Sequence, residues 1–309
     1  MKKRVFINKK FNLPTIHPST LSAPMLVTVL LPAALGIIML GLGLSLTIAD
    51  FKRVLQFPKA ALIGLICQML ILPALCFGIA TGFGLAPALA VGLMLLSASP
   101  GGATANLYSH LSDGDVALNI TLTAINSLLS LITLPLIVNF SLGYFMSGEQ
   151  ALPMQFGKIL EVFAIILIPV GLGMLVRKYA ASFADKMEKP VKIASALLLV
   201  VVIVSAVVKE SAKLGEYLSE LALPVLLFNL LSMAMGYFIP LLFNINKKQA
   251  VAIGMEIGIH NGTLAIYIAS KVLRDETMSI PPALYSLLMF FTAAAFGFWV
   301  KKQLNSQVL

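Results

Sequence analysis

Long apolar runs alternate with short polar or glycine-containing stretches along most of this chain. The runs cover about 25–48, 60–81, 86–96 with 103–111, 116–140, 156–176, 193–208, 223–243, 250–272 and 283–300. Most reach the ~20 apolar residues that carry a helix across a bilayer. Residues 1–24 hold Lys2, Lys3, Arg4, Lys9 and Lys10 without an apolar run, and read as an exposed tail rather than a signal peptide. The pattern predicts an all-α polytopic membrane protein of about nine transmembrane helices.

Two of these runs are interrupted at depth. One contains Ser97-Ala98-Ser99-Pro100-Gly101-Gly102-Ala103-Thr104-Ala105-Asn106, the other Met255-Glu256-Ile257-Gly258-Ile259-His260-Asn261-Gly262-Thr263. Glycines let a membrane helix unwind, and unwound backbone is tolerated only inside protein or around a cavity. An ionisable residue at that depth marks function. The breaks fall in the third and eighth crossings, so they traverse the membrane in opposite directions, as in an inverted-topology repeat. Residues 25–140 would form a first, shortened repeat and 156–302 a second. The fifth crossing lacks a counterpart, as if a ten-helix ancestor had lost its first helix.

Composition agrees. Of 309 residues, 59% are hydrophobic and 11% charged, against roughly 25% charged in soluble domains. Mean hydropathy is +0.96. The net charge of +9 comes without basic runs interleaved with aromatics, which argues against nucleic acid. With the C-terminus cytoplasmic, inner loops hold twelve Lys and Arg against at most five in outer loops. The tail holds five more on the outside, against the rule, but the internal loops favour C-in. A multi-pass membrane protein with a cytoplasmic C-terminus is expected. Cys67 and Cys76, nine positions apart on one helix, are too far apart for a disulfide and read as small buried hydrophobes.

The breaks also suggest chemistry. A half-helix presents free N–H groups at one end and free C=O groups at the other. The N-terminus near Gly102, Ala103 and Thr104, with Asn261 and Gly262 from the other break, suits an organic anion. Glu256, the carbonyls of Ile257 and Ile259, and the side chains of Asn106, Asn119, Thr123 and Gln68 form an oxygen-rich set suited to a hard cation such as Na⁺. Asn119, Thr123 and Asn126 share one helix face and are equally the pattern of interhelical hydrogen-bond glue. Asn229 reads as glue, His110 as a favourable helix-end charge, and Glu161 as an interfacial residue. Pro73 predicts a kink. No second deep carboxylate supports a protease, so no enzyme is expected. The alternative carrier is a sodium/proton antiporter or a proton-modulated anion carrier, since His260 can titrate.

The chain resembles the bile acid:sodium symporter family at three places. They are Leu35 to Leu44 with its glycines, Pro100-Gly101-Gly102 through Asn106 with Asp115-Val116-Ala117-Leu118, and Glu256-Ile257-Gly258 with Asn261. The resemblance implies a panel domain beside a core domain in which the broken helices cross, the two domains interleaving the repeats. It implies sodium-coupled symport of a bile-acid-like or pantoate-like anion by alternating access, with sodium as coupling ion and no other cofactor. One sodium site would use Glu256, Asn106, Asn119 and Thr123 with the Ala105 backbone. The second would use Gln68, Glu256 and the carbonyls of Ile257 and Ile259, with His260 where the family commonly has glutamine. Leu288-Met289-Phe290 stands where some relatives carry Trp-His-Asn.

Overall fold

The protein is described by a computed structural model covering residues 31–146, 156–209 and 214–305. The expected tail and the stretch 147–155 between the two proposed repeats lie outside the described residues. Every regular element among the described residues is a helix, apart from one isolated β-bridge. Five of the helices are long and apolar enough to cross a membrane, Pro58–Gly82, Val116–Phe145, Leu160–Tyr179, Tyr217–Leu242 and Thr277–Leu304, and a bent pair makes a sixth. Backbone groups deprived of water must satisfy one another, and a helix does so within one segment.

The first helix, α1 (Leu31–Ser45), stops earlier than the apolar run suggested. Asp50 of α2 (Ile48–Lys52) accepts from the Thr47 N–H at 2.7 Å and the Thr47 hydroxyl at 2.6 Å. Arg53 pairs with the same carboxylate at 2.5 Å. This polar knot starts a new helical stretch, Ile48–Leu55, at 72° to α1, with Asp50 and Lys52 in α2 and Arg53 in the 3-10 turn that follows.

The next crossing is α3 (Pro58–Ile66), a π-helical turn at Cys67–Ile71, and α4 (Leu72–Gly82). Pro73 lacks an N–H, and its ring collides with the carbonyl four residues back. The wider π turn takes up that conflict, so the expected kink is a local bulge. The bulge also turns Gln68 into the interior.

Then come α5 (Pro87–Ala98), the break, α6 (Ala103–Leu111) and α7 (Val116–Phe145). Asp115 caps α7 by accepting from the Leu118 N–H at 3.0 Å. The helix continues through Gly143, five residues beyond the expected end.

The charged stretch 177–192, between the apolar runs 156–176 and 193–208, is mostly helix. Only Ala180 separates α8 (Phe156–Tyr179) from α9 (Ala181–Lys209), and the pair Arg177–Asp185 clips the corner. Ala, Lys, Met and Glu in this stretch are good helix formers, and their charge disguised the propensity. The mixed-charge stretch before the seventh run is helical too, from Leu214 onward. There Glu220 of α10 (Leu214–Leu242) accepts from the Ala86 N–H at the start of α5, at 2.7 Å.

The second broken helix is α11 (Lys247–Gly258), the break, then α12 (Gly262–Tyr267) with a π turn at Ile268–Val272. The last helix is α13 (Ile280–Asn305).

Packing separates two groups. α1 lies along α8 and α9. Glycines make that seam close: a Cβ on Gly173 would stand 2.5 Å from the Leu40 carbonyl, and Gly43 meets the Val170 backbone. The two broken crossings pack with α7, α10 and α13, and α10 approaches α11 backbone to backbone, where a Cβ on Gly236 would stand 2.7 Å from the Gly254 Cα. Twelve-residue α5 and α11 each reach roughly 18 Å, too short to span alone.

Candidate functional site

The two breaks meet. Gly101 and His260 form an antiparallel bridge, and the Asn261 N–H donates to the Pro100 carbonyl at 2.9 Å. In a continuous helix that N–H would serve the Ile257 carbonyl, which thereby loses its helical partner. The Gly258 carbonyl is claimed by the Asn229 side-chain N–H at 3.2 Å and the Tyr285 hydroxyl at 2.9 Å. Asn229 is the glue residue that the sequence suggested, but it works at the break itself.

Glu256, the last turn of α11, is fully buried against this bridge. Its Oε2 accepts from the Thr123 hydroxyl at 2.6 Å and its Oε1 from the Asn126 amide at 3.0 Å. The Gly101 backbone N–H is a third donor. The carboxylate lies so close to Gly101 that a Cβ there would stand 2.5 Å from its carboxyl carbon. None of the ion pairs among the described residues involves Glu256. A buried carboxylate without a cation is costly, and three hydrogen-bond donors offset only part of that cost.

Around it are the other expected residues. The Thr123 hydroxyl also lies 3.0 Å from the Asn119 carbonyl and 3.4 Å from Asn106 Oδ1. The Asn119 amide donates to the Ala252 carbonyl at 2.7 Å. Ala105 and Asn106 follow in the first turn of α6, both buried. Gln68 reaches the centre indirectly: its amide donates to the Ser99 carbonyl at 3.2 Å, the same oxygen that His260 Nδ1 meets at 3.1 Å. A carbonyl only accepts, so Nδ1 carries the proton and Nε2 presents a lone pair. The His260 ring stacks on Phe228 at 6.0 Å between centroids.

Among the described residues, six buried side-chain atoms have no hydrogen-bond partner: Gln68 Oε1, Asn119 Oδ1, Asn126 Oδ1, Asn229 Oδ1, His260 Nε2 and Ser109 Oγ. The Ser109 hydroxyl lies toward the far end of α6, beside Gly114. The other five belong to residues at the crossing, and each is an acceptor. Leaving a buried acceptor unpaired costs about 1–3 kcal/mol. Unpaired acceptors of this kind are groups that a hard cation can satisfy. No cluster of three His, Cys, Asp or Glu exists among the described residues, so the donors are amide, hydroxyl and carbonyl oxygens, a hard set.

Beside the crossing lies a cavity of about 180 Å³. Gly102 and Thr104 at the start of α6 line it, with Ile259, His260, Asn261, Gly262 and Thr263 at the start of α12. Both half-helix N-termini therefore open on one space, and Asn261 caps its own helix by accepting from the Leu264 N–H at 3.1 Å. The opposite wall is α1 and Ser195 of α9, and Met289 and Phe290 of α13 add apolar surface. No Lys or Arg lines the cavity. Of the expected anion residues, Gly102, Thr104, Asn261 and Gly262 line this space, and Ala103 is the first residue of α6.

Three participants escaped the sequence reading in these roles. Asn126, noted only as one of a polar stripe, holds Glu256 directly. Ser99 contributes its carbonyl, which no side-chain pattern reports. Glu161 is not simply interfacial: it pairs with Lys158 at 2.7 Å and accepts from the Tyr267 hydroxyl at 3.1 Å, joining α8 to α12.

Comparison with known proteins gives the same direction. The model of the sodium bile acid symporter family matches residues 32–217, a span that includes the first break. The probable sodium/metabolite cotransporter BASS2 of rice chloroplasts is 28% identical over 88% of this chain and 64% of its own length. The sodium-dependent transporter YocS of Bacillus subtilis is 29% identical over 88% of this chain and 84% of its length. Human sodium/bile acid cotransporter 4 is 29% identical over 90% of this chain and 64% of its length. The chain thus spans somewhat less than two thirds of the rice and human proteins. These relatives are named as transporters, and the apolar helices are those of an integral membrane protein. With the family model matching more than half of its length, this chain belongs to the sodium bile acid symporter family.

Proposed function

We propose that this protein is a sodium-coupled symporter of an organic anion, working by alternating access. One observation carries the reading: a buried carboxylate with no basic partner sits at the crossing of two chain breaks, among acceptor atoms that lack donors. Sodium supplies the missing positive charge. One ion takes Glu256, Asn106, Asn119 and Thr123 with the Ala105 backbone. A second takes Gln68, Glu256 and the carbonyls of Ile257 and Ile259, beside His260.

The anion occupies the adjacent cavity. Its negative group faces the N-termini at Gly102, Ala103 and Thr104 and at Asn261 and Gly262, where backbone N–H groups and helix dipoles favour it. The apolar remainder of the lining holds the carbon skeleton, which makes bile-acid-like and pantoate-like acids the classes to test. Binding both ligands at one crossing couples them, because the ion offsets charge beside which the anion must bind.

The repeats 25–140 and 156–302, nine crossings, and the division into panel and core belong to the same proposal. Support comes from the packing: α1, α8 and α9 form one group, of which α1 and Ser195 of α9 line one cavity wall, while the broken helices pack with α7, α10 and α13. Movement of one group against the other would open the cavity to alternate sides. The Lys and Arg distribution favours a cytoplasmic C-terminus, in a plasma membrane such as that of a bacterium. The test is uptake of labelled organic anions into proteoliposomes, with an inward sodium gradient and with potassium in its place. Uptake indifferent to the exchange refutes the symport reading. Proton movement driven by sodium without any anion would make the protein an antiporter.

A further inference from the structure

We infer that Asn126 is a switching ligand of the ion site: its amide N–H holds Glu256 while the site is empty, and its Oδ1 turns to the cation when the site fills. The inference rests on the sodium reading above and adds a residue and a movement to it.

Asn126 lies one turn beyond Thr123 on α7 and is fully buried. These two neighbours divide the carboxylate, the Thr123 hydroxyl at 2.6 Å on Oε2 and the Asn126 N–H at 3.0 Å on Oε1. With Gly101 they substitute for the positive charge that no side chain provides. Asn126 differs from Thr123 in one respect. Its second polar atom, Oδ1, is buried with no partner. An amide fixed only as a donor would leave that oxygen permanently unpaid for, whereas buried polar atoms nearly always find a partner.

The planar amide makes the exchange simple. Nδ2 and Oδ1 are almost isosteric, so rotation about the Cβ–Cγ bond swaps donor for acceptor without moving the backbone. A cation arriving at Glu256 repels the N–H hydrogens and attracts Oδ1. Rotation then removes a repulsion and adds a neutral oxygen ligand, and this contact with the ion must outweigh the N–H left in the place where Oδ1 now stands unpaired. Release of the ion reverses the swap and covers the carboxylate again. A side chain at this position therefore influences which alkali ion fits, because Oδ1 sets one edge of the ligand shell.

The experiment uses the purified full chain in detergent, melted over a titration of NaCl and, separately, LiCl at constant ionic strength. Binding to the native form raises the melting temperature. Wild type is compared with Asn126→Leu, Asn126→Asp and Glu256→Gln. The expected result is that Asn126→Leu needs about tenfold more sodium for the same rise. Asn126→Asp, which keeps an oxygen and loses the N–H, retains sodium stabilisation but changes the ratio of lithium to sodium response. Should both Asn126 variants titrate as wild type while Glu256→Gln no longer responds, Asn126 is no ligand and the sodium site stands without it. Should Asn126→Asp lose the sodium response, Asn126 serves only as a donor and the switch is refuted; this variant decides alone if Asn126→Leu fails to fold. A wild type insensitive to sodium overturns the sodium reading itself, and the switch with it.

Discussion

Replacing Glu256 by Gln separates coupling from folding. The carboxylate is fully buried, receives donors from Thr123, Asn126 and Gly101, and meets no cation among the described residues. Gln keeps the shape and one acceptor oxygen, which the Thr123 hydroxyl can retain. Its NH₂ would face the Asn126 N–H, but rotation of Asn126 presents Oδ1, the atom now without a partner. The variant thus exchanges one hydrogen bond for another, moves the unpaired position from Asn126 Oδ1 to its N–H, and removes a buried charge whose desolvation costs several kcal/mol. In sodium-free detergent its melting temperature is expected to equal or exceed that of wild type. Each kcal/mol shifts the melting point by about 2–4 °C in domains of 150–250 residues, so a gain of a few degrees is the working figure. Sodium-driven uptake into proteoliposomes is expected to vanish, because the fixed charge that offsets the ion is gone. Retained sodium-dependent uptake would show that Glu256 is not the coupling ligand. A melting point several degrees below wild type would show that the donor and acceptor accounting around it is wrong.

Other changes test neighbouring parts. Gly102→Val and Thr104→Val place bulk at, or remove a hydroxyl from, the cavity end of α6; substrate affinity should fall more than sodium affinity in paired uptake titrations, and equal losses would merge the two sites. His260→Gln can keep the hydrogen bond to the Ser99 carbonyl while exchanging a nitrogen lone pair for an amide oxygen; apparent sodium affinity should rise, and an unchanged sodium titration would remove His260 from the ion's surroundings. Gly173→Ala forces α8 away from the Leu40 carbonyl, an overpacking expected to cost about 1–3 kcal/mol; a thermal melt as high as wild type would mean that the α1–α8 seam is softer than its geometry implies.

Much of this arrangement was legible beforehand because the bilayer makes sequence errors expensive. A glutamate, a histidine and repeated glycines inside apolar runs announced both breaks, and the half-helix from Ala103 to Leu111 came out at its expected bounds. Element ends were harder. Charged residues at 177–192 suggested a loop, but charge on an amphipathic surface says little about backbone conformation, and Ala181 onward is helical. Pro73 signalled irregularity without revealing that a π turn would absorb it. At the crossing, side-chain chemistry singled out Glu256, Thr123, Gln68 and the asparagines, and the fold brings Thr123 and Asn126 onto Glu256. The Ser99 carbonyl was invisible because every residue has one. Asn126 could be placed on the right face, but only the three-dimensional path of α11 brings that face to Glu256 rather than to another helix.

The bridge between Gly101 and His260 also bears on how the chain is made. The first break is synthesised well before the second, and until α11 and α12 arrive its Pro100 carbonyl lacks the Asn261 N–H. Glu256, in turn, enters the membrane needing donors that all belong to the earlier part, Gly101, Thr123 and Asn126. Each portion completes hydrogen bonds that the other leaves open. Ribosomal order then matters: a chain severed in the 147–155 connection should recover its native state only where both pieces are inserted in the same membrane.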